Sequence, residues 1–203
     1  TVVTMVHIGR GFAGLCIGTL AFTPLVRAAN PVCFEADALE GISAPMEVVD
    51  AAQLQSEVAP KSVKGASGNK YLQIANGKGK APKVSCQARF AFDVDSEGTY
   101  YLWCRVWWDG ECSNSFTMSL DDGLPFVFGE DATYNAWHWV KAPPRLKQLA
   151  LSRGRHTLTI KNREDGVRLD QVLLVMDKNH VPVDIESVTL PSSLSAQKSE
   201  AGK

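Results

Sequence analysis

Gln87-Ala88-Arg89-Phe90-Ala91-Phe92-Asp93-Val94 sets Gln87, Arg89 and Asp93 against Ala88, Phe90, Phe92 and Val94. That period of two is the signature of a strand with one buried face. Ser96-Glu97-Gly98 supplies a turn. Tyr100 to Trp108 follows, aromatic and β-branched enough for a central strand. Parity places Tyr100, Leu102, Cys104, Val106 and Trp108 on its apolar face. Tyr101, Trp103, Arg105 and Trp107 fall on the other, a mixed set suited to an open platform.

The pattern repeats outward. Phe116, Met118 and Leu120 alternate with Thr117 and Ser119, and Asp121-Asp122-Gly123 reads as a turn. His156 to Ile160 alternates with Leu158 and Ile160 inward, and Leu169 to Met176 is apolar enough for burial on both faces. Helix signals are few: Ala51 to Val58 allows a turn or two before Pro60 stops it. Many short strands separated by turns predict an all-β sandwich or barrel.

The 203 residues carry 21 Lys and Arg against 22 Asp and Glu, a net charge of -1. That balance argues against an extended nucleic-acid footprint. No apolar run reaches the roughly 18 residues of a membrane-spanning helix. Residues 1–28 read as a leader, with a buried core helix or a membrane anchor as the alternative: Arg10 flanks an apolar stretch, and Val26-Arg27-Ala28 is a small-x-small cleavage pattern. A secreted or periplasmic chain is therefore expected, with its domain over 29–183 and a flexible tail over 184–203 that is rich in Ser, Lys and Ala from Pro191 onward. Beyond Cys16, the cysteines Cys33, Cys86, Cys104 and Cys112 permit two disulfides in three connectivities, or remain buried thiols. Cys104 and Cys112 flank a short turn region and are the pair expected first.

Several segments taken in order resemble carbohydrate-binding modules of families 6 and 35. They are Phe34-Glu35-Ala36-Asp37, Ala66-Ser67-Gly68-Asn69-Lys70-Tyr71-Leu72, Gly98 to Val106, Gly154 to Ile160 and Val167 to Val172. The resemblance implies a jelly-roll β-sandwich of the galactose-binding-like type. It also implies a structural calcium ion held by Glu35, Asp37 and Asp170, hard oxygens of the kind calcium takes. Asp37 stands where the family more often has Glu, which shortens the reach.

Sugar recognition needs an exposed ring against the C–H face of a pyranose and side-chain donors and acceptors for its hydroxyls. Two segments offer both: Trp107 to Asn114 and Tyr134 to Trp139. Trp137-His138-Trp139 resembles the family's W-x-W element, whose first Trp is commonly the stacking platform, so that role passes to Trp137. Trp139 is expected to turn the other way, into the core. Tyr134, Asn135, Asp109, Asn114 and Trp107 are the expected polar or stacking partners. Arg168 replaces the Asn that commonly binds sugar in the family. Its planar cationic fork suits a carboxylate or sulfate, so an acidic glycan is one reading; a salt bridge to Glu164 or Asp165 is the other.

Nothing points to catalysis. No histidine pair has helical metal-ligand spacing, no Gly-x-Ser-x-Gly occurs, and Gly77-Lys78-Gly79-Lys80 is not a phosphate loop. Asp121-Asp122 and Glu130-Asp131 are adjacent in turns rather than facing across a cleft. The expectation is a non-catalytic module whose partner is polysaccharide. A structural or adhesive domain that docks other domains or proteins of a secreted assembly is the rival.

Overall fold

The computed structural model describes residues 30–50, 65–79, 81–143 and 149–189. The expected leader, the turn expected over Ala51 to Val58 and the chain beyond Thr189 lie outside these residues.

Among the described residues, strands dominate: β1 (Val32–Glu35), β2 (Gly41–Ile42), β3 (Met46–Asp50), β4 (Lys70–Ile74), β5 (Gln87–Val94), β6 (Gly98–Trp108), β7 (Ser115–Leu120), β8 (Phe126–Gly129), β9 (His138–Lys141), β10 (Leu149–Leu151), β11 (Gly154–Asn162) and β12 (Val167–Val175). They build two antiparallel sheets. The larger runs β10-β6-β12-β4-β3, with β9 also on β6 and β1 also on β12; the smaller runs β2-β5-β11-β7-β8. This is the expected all-β jelly-roll sandwich.

The alternating positions do what their period dictates. Phe90, Phe92, Phe116, Met118, Leu158 and Ile160 project from the smaller sheet against Leu72, Leu102, Val106, Trp108, Leu169 and Val172 of the larger. Burying one such large side chain contributes about 1.5–3 kcal/mol. Phe34 on β1 stacks on Phe92, with ring centroids 5.6 Å apart, and so ties the first strand to the opposite sheet.

One irregularity positions the site. Along β12, Leu169 faces Val106 but Gln171 faces Arg105, so Asp170 is an extra, bulged residue. A bulge re-aims side chains. Leu169 and Val172 both enter the core, and the two polar residues between them are freed to serve the opposite, outer face.

That outer face is strapped. Beyond β12 the chain doubles back, with Pro182 buried. Trp139 Nε1 donates to the Asp184 carbonyl (2.9 Å) and Lys141 Nζ to the Lys178 carbonyl (2.9 Å). Gln171 Nε2 donates to the Glu186 carbonyl (2.8 Å) while Glu186 N–H donates to Gln171 Oε1 (2.9 Å). Thr189 N–H reaches the Cys33 carbonyl (2.9 Å). Cys33, Leu173 and Val175 form a small second core beneath, flanked by Tyr101, Trp103 and Trp139. The apolar run of β12 is thus buried on both faces. Residues 184–189 carry much of this bonding, and the packed structure continues past residue 183.

The expected Cys104–Cys112 disulfide is not formed. Cys33, Cys86, Cys104 and Cys112 are all free thiols, the first three buried and Cys112 exposed. Cys104 points into the core from mid-β6, and four more residues of strand, about 3.3 Å each, carry the chain away before the loop holding Cys112 begins.

Candidate functional site

The outer face of the larger sheet gathers aromatic and polar side chains from β6, β9, β12 and β4. Trp103, Arg105 and Trp107 come from the mixed side of β6. Trp137 lies just before β9 and packs edge-on against Trp107 and Tyr71, with centroids 5.9 and 5.8 Å away. The Arg105 guanidinium sits over the Trp137 ring, 5.4 Å from its centroid. Trp137 is half-buried, a ring fixed by its neighbours with part of its surface open.

Trp139 does not enter the core. Side chains two apart on a strand share a face, so Trp139 joins Trp137 outside while His138 between them points inward. The His138 ring lies 6.3 Å from that of core Trp108. His138 Nε2 pairs with Asp131 Oδ2 (2.9 Å), and Nδ1 lies 3.0 Å from the Ala136 carbonyl. Trp103, Arg105, Trp137 and Trp139 together with Val181 and Asp184 of the strap line a cavity of about 320 Å3.

The remaining expected residues divide. Trp107 is largely buried but belongs to this face. Asp109 and Arg168 meet at its edge, Nη1 to Oδ1 and Nη2 to Oδ2 (3.4 Å). Arg168 therefore pairs with neither Glu164 nor Asp165. Gln73 lies beside Arg168 in register on β4 and donates to Glu47 (2.8 Å), extending a polar row. Asn114 is buried: its amide donates to the Asp131 carbonyl (3.0 Å) and its backbone N–H to Glu164 Oε2 (2.9 Å), so it braces two loops. Tyr134 packs against the main core. Asn135 is exposed in a left-handed turn (φ 56°), with its N–H on the Trp108 carbonyl (2.9 Å).

Trp139 and the strap are absent from the residues the sequence assigns to the site, while Trp103 enters only as part of the mixed platform set of β6. Parity with Trp137 would have found Trp139. The apolar Val181-Pro182-Val183, inside a stretch otherwise rich in polar residues, was the available signal for the strap.

The three carboxylates expected to hold calcium are each engaged. Asp37 pairs with Lys70 (3.1 Å). Glu35 accepts from the Ser67 hydroxyl. Asp170 accepts Ser67 N–H (2.8 Å) on Oδ1 and the Arg105 guanidinium on Oδ2. Burial pushes the Asp170 carboxyl upward in pKa, and Arg105 and the Ser67 N–H pull against that rise. Among the described residues no three His, Cys, Asp or Glu side chains gather as a metal site. A guanidinium on the most buried carboxylate does not fit a calcium ion there.

The fold has counterparts among solved structures. The GH26-CBM35 β-(1,4)-mannanase of Podospora anserina matches with a TM-score of 0.54 at 20% identity, over 79% of this chain and 30% of that one. An exo-β-1,3-galactanase of Phanerochaete chrysosporium, solved with galactose, matches with a TM-score of 0.51 at 14% identity, over 72% of this chain and 29% of that one. The chain spans about three tenths of the length of each enzyme. A family 35 carbohydrate binding module from Clostridium thermocellum matches at 13% identity and a TM-score of 0.48, over 72% of this chain and 98% of that one. No protein-family model and no curated protein sequence matches the chain.

Proposed function

We propose that this chain is a non-catalytic glycan-binding module, and that the outer face around Trp137 is its contact surface. The observation that carries the reading is the cavity between the Trp103, Trp137 and Trp139 rings and the strap, which Asp184 also borders. Rings held rigid by packing supply apolar area at small entropic cost, and polar groups at the rim select among hydroxyls. The sandwich it shares with two polysaccharide-cleaving enzymes supports the same reading by analogy of fold alone. The leader-like residues 1–28 support a location outside the cytoplasm, where polysaccharide is met.

The charge at the edge of the face favours a neutral ligand. The sequence leaves Arg168 as either a receptor for an acidic sugar or half of a salt bridge, and its fork is taken by Asp109. A uronate would have to displace a carboxylate already in place, whereas a neutral sugar can bond to the pair's outer atoms.

Two of the described histidines are taken up in structural contacts. His138 and His156 each face a carboxylate with one nitrogen and a backbone carbonyl with the other. Neither has a ring nitrogen left to activate a nucleophile.

A second reading, a protein-docking domain, draws on one observation. Val181, Val183 and Ile185, at alternate positions of the strap, are 69%, 70% and 48% exposed. Such a row suits association with protein.

A glycan array probed with the folded chain separates the two. Retention on neutral polysaccharide with a monomer in solution supports the module. Failure on every glycan, with self-association or capture by a protein partner, supports docking.

A further inference from the structure

The acidic junction of β1, β4 and β12 contains its own positive charge. Asp170 is fully buried, and so is most of Arg105. The bulge at Asp170 brings its carboxylate beside Arg105 rather than into the ordinary ladder. Arg105 Nη1 reaches two acceptors at once, Asp170 Oδ2 and the Gly65 carbonyl (2.9 Å). Ser67 completes the cluster by donating its N–H to Asp170 and its hydroxyl to Glu35.

We propose that the Arg105 guanidinium is the resident cation of this junction, binding β6, β12 and the Gly65 loop together, so that the sandwich closes around Asp170 without a metal ion.

A buried carboxylate needs a partner, and removing that partner strands the charge. Arg suits the position because its planar fork serves a carboxylate and a carbonyl together, which a point-charge lysine does less well. A divalent ion on the same carboxylate would have to share its single charge with the guanidinium on Oδ2 and compete with the Ser67 N–H on Oδ1. Asp37, the third acid of the expected metal set, is drawn off to Lys70 at 3.1 Å. Arg105 also lies under Trp137, so the same side chain that neutralises the junction fixes the ring of the outer face. It acts on that face as a positioning residue. The inference stands apart from the glycan reading, because its test is thermal stability alone.

The test is thermal unfolding of the wild-type chain in millimolar calcium chloride and in EGTA, alongside Arg105→Met and the double variant Arg105→Met/Asp170→Asn. The wild-type midpoint should be the same in both solutions. Arg105→Met should lower the midpoint by about 10 °C, the consequence of one unpaired buried charge. Asp170→Asn in that background should recover more than half of the loss, because the stranded charge is then gone. If Arg105→Met does not fold, folding of the double variant alone carries the same meaning. A wild-type midpoint raised by calcium and lowered by EGTA overturns the proposal whatever the variants do. So does an Arg105→Met variant as stable as wild type, or a double variant no better than the single.

Discussion

Arg168 and Asp109, 59 residues apart in sequence, pair at the edge of the outer face of the larger sheet. Their side chains are 11% and 24% exposed, so the pair is sheltered without being sealed. It therefore sets the charge presented at that corner.

Asp109→Asn should release that charge. The cation left behind should raise affinity for a polyuronate about tenfold, or about 1.4 kcal/mol, and leave affinity for a neutral glycan within about twofold. The fold should lose about 1 kcal/mol as a charge-assisted contact is weakened. Binding isotherms for both glycan types and a urea melt check this. Unchanged polyuronate binding would show that Arg168 lies outside the contact surface.

The thiols should divide by burial. Burial and the nearby Glu186, Glu35 and Asp170 charges push Cys33 up to about 12, and burial pushes Cys104 well up also. The thiolate is the reactive form, so neither should react with an aromatic disulfide reagent in the native state. Exposed Cys112 should react promptly, and Cys33, Cys86 and Cys104 only in denaturant. Peptide mapping after labelling reads out each site. Prompt native labelling of Cys33 or Cys104 would contradict the packing described above.

His156 should make stability fall as pH rises above its unfolded value of about 6.5. Burial draws its pKa down, but Asp121, the Ser152 carbonyl and the Asp93 charge outweigh burial and leave it raised. A raised folded pKa contributes stability that is full below the unfolded value of about 6.5 and lost as pH rises through the folded value. The midpoint difference between wild type and His156→Gln should therefore shrink with rising pH from about 6.5 upward. A difference that grows with pH would refute the assignment.

Ending the chain after His180 should uncover the second core. Cys33, Leu173 and Val175 lose their cover, and the cavity loses the wall made by Val181 to Asp184. The truncated chain should melt lower, bind a hydrophobic dye and lose glycan affinity together. Dye fluorescence and a melt measure the first two. Retained glycan affinity would move the binding surface away from the strap.

Periodicity made most of this fold legible. β5, β6, β7, β11 and β12 all follow from alternation or an apolar run, because one buried face forces the pattern into the sequence. What stayed hidden depends on partners remote in sequence. Arg168 carries no mark of its pairing with Asp109. The bulge at Asp170 is invisible because Leu169 to Val172 keeps polar and apolar types that either register accepts. The strap reads as tail because it is held by backbone carbonyls at Asp184 and Glu186, which any sequence supplies. Trp139 was open to correct reading by parity with Trp137. The Cys104–Cys112 pairing rested on proximity in sequence, which a strand running on past Cys104 defeats.

Trp137 is the proposed platform on which a glycan rests. The most direct test is calorimetric titration of wild type and Trp137→Ala with the neutral polysaccharide retained on the array, with folding of both confirmed by circular dichroism. Loss of one stacking ring should weaken binding at least about tenfold, with the midpoint of unfolding shifted by only a few degrees. A folded Trp137→Ala variant that binds as tightly as wild type would contradict the account.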